Sequence, residues 1–512
     1  MTEQNLLAGY VYLVGAGPGN PGLITRLGYD LLMTCDAVIY DNLIPLELIV
    51  NLPPETEKHY VGKRTGKHSK KQPEINELLV TLALRGLSVV RLKGGDPSVF
   101  GRVGEETTYL SENKIPWVII PGVTAASAGA AEVGFSLTDR RLASWTVLAT
   151  GHEAVSGSPS VPWQSFGSLE GGTYVVYMGI GGIEAIVNKL LAGGMTPQTP
   201  VRIQQNISLG TSRSVSDTLV NITNRCQQDN ITPPALVYIG GVSISTPPQS
   251  FNTRLPLSGK RILVTRPSGQ TDSMCGRIRA LGGEPIPHPT IRLSRFFDEE
   301  GWENFNELIA NGGWLVFTSE AGVKFFFQQF FEQGYDIRAI GAVKIAVIGS
   351  GTASALEQWG IMPDLIPATV LVSSLASSLQ NEPDIESEII VRVRGNLGNE
   401  AIKDVLSAKG ATVYPLTTYT NDHAVWEEHW ANQLDEQVPD YIAFTSGSTI
   451  KGFLKNLGDE KALEIAQKSK IVCIGPVTAK IAENHGFQVT AIAQDYNVEG
   501  LVSAICSDVA ES

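Results

Sequence analysis

Short apolar blocks alternate with segments of helical period along the whole chain. In the first part the blocks are Tyr10–Val14, Ala37–Tyr40, Val89–Leu92, Val118–Ile120 and Thr146–Ala149. Runs of this length with little polar interruption predict strands covered on both faces, and the stretches Leu23–Thr34 and Glu74–Arg85 between them predict the covering helices. Further strands are predicted at Tyr174–Met178, Pro200–Gln204 and Leu236–Gly240. The polar, proline-containing stretch from Ser245 to Pro256 then breaks the rhythm as a linker would. A new strand opens at Lys260–Pro267 and leads into a helix that ends at Leu281-Gly282-Gly283; strand-plus-turn units follow at Trp314–Ser319, Ile345–Gly349, Ile389–Arg394, Tyr441–Ser446 and Ile471–Gly475. The fold class is α/β. A chain of 512 residues exceeds one ordinary core, so we expect domains at 5–245 and 258–512, joined by a linker at 246–257.

Charge is divided unevenly between these halves. Up to residue 256 there are 19 Lys and Arg against 20 Asp and Glu, and beyond it 20 against 32, so nearly all of the net charge of −13 lies in the second half. An acidic chain with no basic stripe and no aromatic-basic repeat lacks the footprint for nucleic acid, whereas anionic small molecules suit it wherever a pocket is locally basic. Cys35, Cys226, Cys275, Cys473 and Cys506 form no C-x-x-C pair, which argues against a zinc knuckle or a disulfide framework and fits a reducing cytosol. Met1–Asn5 lacks the basic segment and apolar run of a signal peptide, and no stretch spans a membrane without charge. The expectation is a cytoplasmic protein with small-molecule ligands and with no nucleic-acid partner, membrane partner or metal.

Two glycine-rich signatures narrow the chemistry. Val14-Gly15-Ala16-Gly17-Pro18-Gly19 follows the first strand, where a phosphate-cradling loop would lie. Its spacing does not fit a dinucleotide: the third fingerprint glycine is replaced by Asn20, and Pro18 removes an N–H that would face a pyrophosphate. Alone it reads equally well as a tight turn. The second signature, Lys93-Gly94-Gly95-Asp96-Pro97, ends the strand Val89–Lys93 with two glycines that admit a ligand to the backbone and an Asp kept extended by the following proline. Tyr40-Asp41-Asn42-Leu43, Val61-Gly62-Lys63-Arg64, Phe100–Glu106, Ile120–Ser127, Tyr177-Met178-Gly179 and Pro234–Val237 complete an ordered series.

In that order the series closely resembles the tetrapyrrole methylases, and within them the uroporphyrinogen-III C-methyltransferases, over roughly residues 9 to 245. The resemblance implies a two-lobed α/β domain with S-adenosylmethionine in the cleft between the lobes and S-adenosylhomocysteine as product. The positions that match its donor pocket are Pro18, Gly94, Gly95, Asp96, Val99, Thr124, Ala125, Met178, Ile207 and Ala235. Ile207 stands where relatives often have glycine, so its contact would come from the backbone; Met178 at a strand end also reads as a core gap-filler. Asp41 and Lys63 match the family's proton acceptor and proton donor, with a turn cap and a carboxylate ligand as their plainer readings. A substrate with eight carboxylates calls for cations, and Lys63, Arg64, Lys67, Arg91, Arg102, Arg140 and Arg141 are available, Arg64, Arg91 and Arg102 foremost. Lys67, Lys70 and Lys71 also read as a solvated run. The family usually dimerises, which implies a homodimer through this half.

Several strands of the second half end in hydroxyl residues or glycine: Phe317-Thr318-Ser319, Ile348-Gly349-Ser350, Phe444–Ser448 and Ile474–Thr478. Open α/β sheets bind anions at such carboxyl ends. Over about 258 to 508 this pattern is similar to the uroporphyrinogen-III synthases. That likeness implies two lobes, 258–292 with 420–512 and 293–419, around a substrate cleft. It makes Tyr419 the acid candidate, with Thr318, Ser319, Ser446, Gly447, Ser448, Lys470 and Thr478 as carboxylate ligands; capping of the following helix is the alternative for each hydroxyl. The combined expectation is a two-lobed tetrapyrrole methylase followed by a two-lobed synthase-like domain, which closes hydroxymethylbilane to uroporphyrinogen III and methylates it to precorrin-2 for sirohaem or cobalamin. The alternatives are a methylase of another precorrin, a protein methylase of the diphthine type, and a second half that only binds and senses tetrapyrrole.

Overall fold

The computed structural model describes residues 9–62, 70–152, 160–244, 255–398 and 400–511. The strands form four five-stranded sheets, the first two consecutive along the chain and the fourth inserted between the strands of the third. Strands β1 (Val11–Gly15), β2 (Ala37–Tyr40), β3 (Glu57–Tyr60), β4 (Val89–Lys93) and β5 (Trp117–Ile120) form a fully parallel sheet in the order β3-β2-β4-β1-β5. The residues of β1, β2 and β4 are all buried, which accounts for their continuous apolar runs. The second sheet contains β6 (Trp145–Thr150), β7 (Gly172–Tyr177), β8 (Pro200–Gln205), β9 (Arg213–Thr218) and β10 (Ala235–Ile239) in the order β6-β7-β10-β8-β9, parallel only between β6 and β7.

Strands β11 (Arg261–Val264), β12 (Glu284–Pro287), β13 (Ile291–Arg295), β14 (Gly313–Phe317), β15 (Val343–Val347), β16 (Ile389–Gly395), β17 (Thr412–His423), β18 (Tyr441–Phe444), β19 (Lys470–Cys473) and β20 (Val489–Ile492) build the other two. One is parallel in the order β12-β11-β18-β19-β20, and the other runs β13-β17-β16-β14-β15 with β13 alone antiparallel. The chain thus passes between these sheets at β13 and β17, two paired strands rather than free crossings.

Some elements differ from the sequence pattern. The first helix is only Arg26–Leu32, because Pro21–Leu23 closes a separate 3-10 turn and Thr25 caps the helix by accepting from Gly28 N. The Thr146–Ala149 run is the edge of the second sheet. Strand β17 was invisible in outline, since its Pro415 and its polar residues break the apolar pattern; pairing on both sides builds it.

The two halves share an apolar boundary. Helix Leu46–Val50 packs on β12, and Leu48, Ile49 and Leu52 belong to one buried cluster with Ile286, Trp426 and Trp430. Glu47 pairs with Arg279, while Asn51 donates to Asp272 at 2.5 Å and accepts from Thr271 Oγ1 at 3.0 Å. The Tyr60 ring stacks on His429 at 3.9 Å. Most of the expected linker, 246–254, lies outside the described residues. No helix among the described residues is long and apolar enough to cross a membrane.

His288 is fully buried against Trp426 and Trp430, with Nε2 3.0 Å from the Trp430 carbonyl. Burial pushes its pKa down from 6.5 to about 4. A depressed folded-state value gives stability that is present above 6.5 and lost as pH falls toward 4, about 2 kcal/mol of it between pH 7 and pH 5. Urea unfolding followed by tryptophan fluorescence should therefore show His288→Phe losing about 2 kcal/mol less than wild type over that interval. Identical pH dependence in the two proteins would refute this.

Candidate active sites

The carboxyl ends of β1, β4 and β5 bring the two glycine signatures together. Gly17 and Gly95 exchange backbone hydrogen bonds, Gly17 N to Gly95 O at 3.2 Å and Gly95 N to Gly17 O at 2.7 Å. Gly122, just beyond β5, closes the cluster: a Cβ there would lie 2.3 Å from Gly95 O, and one on Gly15 would lie 2.7 Å from the Gly122 backbone. Only glycines allow three loops to converge so closely. Gly95 itself has φ +68, and its Cβ direction meets nothing nearer than Ala125 N at 3.8 Å and Thr124 Cα at 3.9 Å. That gap, walled by Gly95 on one side and Thr124-Ala125 on the other, is a cradle that a side chain would fill.

The neighbouring candidates line up around it. Asp96 is a staple for the loop, accepting from Gly122 N at 3.1 Å and from Ser98 N at 2.7 Å. Val99 N donates to Asp96 O at 3.1 Å. Thr124 Oγ1 lies 2.5 Å from the Tyr177 hydroxyl, which also accepts from Ala126 N, and so β7 is tied to the helix that begins at Ala125. Met178, next after Tyr177, is 56% exposed with φ +53, so it is not core filling. Pro18 is half-buried beside Gly19, and Ala235 opens β10. The Ile207 side chain is buried in the core, leaving its backbone to face the loop at Gly19.

Beyond β2, Asp41 is the outermost member of a charge network. Its carboxylate accepts from Leu43 N at 3.1 Å and from Arg91 Nη2 at 3.0 Å. Beneath it, Arg91 Nε reaches Glu106 at 3.4 Å and Lys93 Nζ reaches the same carboxylate at 2.6 Å. Arg91, Lys93 and Glu106 are all buried, and burial draws the Lys93 ammonium below its usual value. Arg91, expected as a substrate ligand, has its buried guanidinium on Asp41 and Glu106. Arg102 pairs with Glu105 at 2.7 Å on the surface, Arg141 pairs with Asp139, and Arg140 is exposed. Lys63, Arg64 and Lys67 lie outside the described residues.

In the second half a cleft of about 680 Å³ opens between the two sheets. Thr318, Ser319, Tyr419 and Ser446 line it, together with Arg266, Gln270, Gly349, Ser350, Thr369, Tyr496 and Asn497. Helices starting at Thr271, Glu320, Ser350, Gly447, Pro476 and Val498 follow these strand ends, so their N–H groups and positive dipole ends suit carboxylates. Ser319 and Ser446 cap two of them, accepting from Gly322 N at 3.0 Å and Thr449 N at 3.3 Å. Tyr419, on β17, stacks on Phe325 at 5.5 Å, lies over Gly395 and places its hydroxyl 3.1 Å from Ser319 Oγ.

Four synthase candidates are not on the cleft lining. Lys470 begins β19, at the end of the sheet away from the cleft, and its ammonium pairs with Asp508 at 2.6 Å. Thr478 is buried within helix Pro476–Asn484. Gly447 and Ser448 open the helix capped by Ser446, and Gly447 is packed against Ile481. Sequence reading passed over Arg266, whose guanidinium is drawn down by burial and reaches Gln270 at 3.2 Å and Glu320 at 3.8 Å. Its signal was its place just after β11, at the carboxyl end of a buried strand; Tyr496 and Asn497, in the loop before the last helix, gave none.

Fold and sites together define a two-site α/β enzyme. The family of tetrapyrrole (corrin/porphyrin) methylases matches residues 10–223, and that of uroporphyrinogen-III synthase HemD matches residues 272–503. The chain is 33% identical to the porphyrin biosynthesis protein HemD of Ruminiclostridium josui, with 97% of each chain covered. It is 31% identical to the uroporphyrinogen-III C-methyltransferase of Bacillus subtilis (strain 168), with 92% of each covered. A solved uroporphyrin-III C-methyl transferase from Thermus thermophilus, complexed with S-adenyl homocysteine, is 37% identical over 46% of this chain and 98% of its own, with a TM-score of 0.39. The chain therefore belongs to the tetrapyrrole methylases in its first half and to the uroporphyrinogen-III synthases in its second, a fused enzyme of tetrapyrrole biosynthesis.

Proposed function

We propose that the second half closes hydroxymethylbilane to uroporphyrinogen III and that the first half methylates this product at positions 2 and 7 to precorrin-2, with two molecules of S-adenosylmethionine. The observation that carries the reading is the presence in one chain of the Gly17–Gly95–Gly122 cradle and, separately, the hydroxyl-lined cleft around Tyr419. The cradle suits a donor that must lie against bare backbone. Pro18, Gly94–Asp96, Val99, Thr124, Ala125, Met178 and Ala235 would hold it, with Ile207 acting through its backbone. When bound, the donor supplies an activated methyl group. Asp41 faces the site from the end of β2, where it can stabilise the cationic pyrrole formed by methylation and accept the proton then lost from the ring carbon. Lys63 and Arg64, close in sequence to the end of β3, are assigned the donor and substrate-carboxylate roles.

In the second half the required work is mostly geometric. Hydroxymethylbilane loses its hydroxyl readily, so the enzyme has to fold the chain, invert the last ring and close the macrocycle before spontaneous closure gives the other isomer. Helix N-termini and Arg266 supply the carboxylate contacts, and the Tyr419 hydroxyl assists departure of water. The chemistry invokes no metal. The division at 246–257, a cytoplasmic location and a homodimer through the first half belong to the same reading.

The test is to supply hydroxymethylbilane with and without S-adenosylmethionine and to identify products by chromatography and mass. Isomer III without the donor and precorrin-2 with it are expected; binding of hydroxymethylbilane without conversion would make the second half a sensor. Tyr419→Phe keeps the ring over Gly395 and removes the hydroxyl, so isomer III formation should slow about tenfold, a modest acid contribution. An unchanged rate would exclude Tyr419 as the acid.

A further inference from the structure

The loop after β8, residues 206–211, belongs to neither glycine signature, yet it touches both the donor cradle and the second half. On the donor side, Ser208 Oγ accepts from Asn20 N at 3.0 Å, and Leu209 covers Gly19, where a Cβ would come within 2.8 Å of Leu209 Cδ2. Glu132, on the helix that begins at Ala125, accepts from Ser208 N at 2.8 Å and from Gln204 Nε2 at 3.0 Å. The loop is thereby pinned to the first glycine loop at Gly19 and Asn20 and to the far end of the helix that begins at Ala125. Asn206 and Ser208 hold left-handed backbone, φ +54 and +65, which persists where the surroundings over-determine it.

Its other face is held by the second half. Gly210 O accepts from Gly259 N at 3.0 Å, and a Cβ on Gly210 would lie 2.3 Å from both Glu284 N and Gly283 C, so this contact has no room for a side chain. Thr211 Oγ1 accepts from Asn206 Nδ2 at 3.3 Å and donates to the Glu284 carboxylate. Glu284 is the first residue of β12, the edge strand against which helix Leu46–Val50 also packs.

We propose that Gly283 and Glu284 of the synthase half are positioning residues for the methyl-donor pocket. They clamp loop 206–211 down on Gly19 and Asn20, so that donor binding in the first half and the ordering of the β11–β12 edge in the second are one coupled equilibrium. The proposal rests on the donor reading given above. Coupling between sites is reciprocal: whatever tightens the loop from one side must be felt with equal free energy from the other.

The experiment uses the full chain, with S-adenosylhomocysteine as probe, isothermal titration for affinity and amide exchange for the edge. In wild type, saturating S-adenosylhomocysteine should slow exchange across 257–287, most clearly at Gly259 N. Gly210→Ala should weaken S-adenosylhomocysteine about tenfold, at the lower end of ordinary site coupling, and abolish the exchange response while isomer III formation continues. Thr211→Val, which keeps volume but removes the bridge to Glu284, should weaken it about threefold, and Thr211→Ser should restore it. The Thr211 pair decides the matter if Gly210→Ala does not fold. Normal binding in Gly210→Ala, or binding in wild type with no change in exchange at 257–287, overturns the coupling, provided Gly95→Val has lost S-adenosylhomocysteine. If Gly95→Val binds it normally, the donor placement itself has failed.

Discussion

Gly95→Val is expected to lower S-adenosylhomocysteine affinity by about 100-fold or more, roughly 3 kcal/mol. Two effects act in the same direction. The φ of +68 is one that a β-branched residue adopts only under strain, and the Gly17–Gly95 hydrogen bonds prevent the loop from rotating out of it. The new side chain also points at Thr124 and Ala125 across a gap whose nearest atoms are 3.8–4.0 Å from its Cβ, so its two methyls occupy the space that the proposed function assigns to the donor. Gly95→Ala separates the two effects: it carries the strain, but its single methyl meets only ordinary contact distances, so an intermediate loss is expected. Isothermal titration reads both, and isomer III formation by the second half shows that the chain has folded. Wild-type affinity in Gly95→Val would place the donor elsewhere.

What the sequence revealed and what it hid follow from the range of the interactions involved. The convergence of Gly15, Gly95 and Gly122 could be anticipated, since adjacent parallel strands must end side by side and glycine marks close backbone approach. The pairing of Arg91 was hidden because its neighbours in sequence are apolar strand residues, while its partners, Asp41 and Glu106, lie 50 and 15 positions away. An arginine inside a buried strand needs such a partner, and that rule names the need without naming the residue. Lys470 lies away from the cleft for a simpler reason. It starts β19, and the carboxyl-end rule that selected Ser319 and Ser446 disfavours it. Strand β17, which carries Tyr419, has no apolar period of its own and exists because β13 and β16 pair with it. The boundary between the halves was also hidden: a polar linker at 246–257 gives no hint that Tyr60 would stack on His429 or that Gly210 would be pressed on Gly283.

Asp41→Asn is expected to slow methyl transfer by about 100-fold while leaving S-adenosylhomocysteine affinity within a few-fold of wild type. The geometry separates charge from shape. Asparagine can turn its single oxygen to accept from Leu43 N, so the turn after β2 is retained, while its NH2 group replaces the oxygen that accepted from Arg91. What disappears is the negative charge at the most exposed of the four described members of the network: the Asp41 side chain is 23% exposed, against 6% or less for Arg91, Lys93 and Glu106. With it gone, two buried cations face a single carboxylate, and the cationic pyrrole meets a positive wall where it had met a compensated one. The loss should therefore fall on kcat, because the charge it opposes arises only after the methyl group has begun to move. Single-turnover methylation, set beside a titration with S-adenosylhomocysteine, measures the two quantities independently. Asp41→Ala, which also removes the acceptor for Leu43 N, serves as the comparison and should disturb both. A rate for Asp41→Asn within a few-fold of wild type would reduce Asp41 to a cap for the Leu43 turn and leave Arg91, Glu106 and Lys93 as a structural network beneath it.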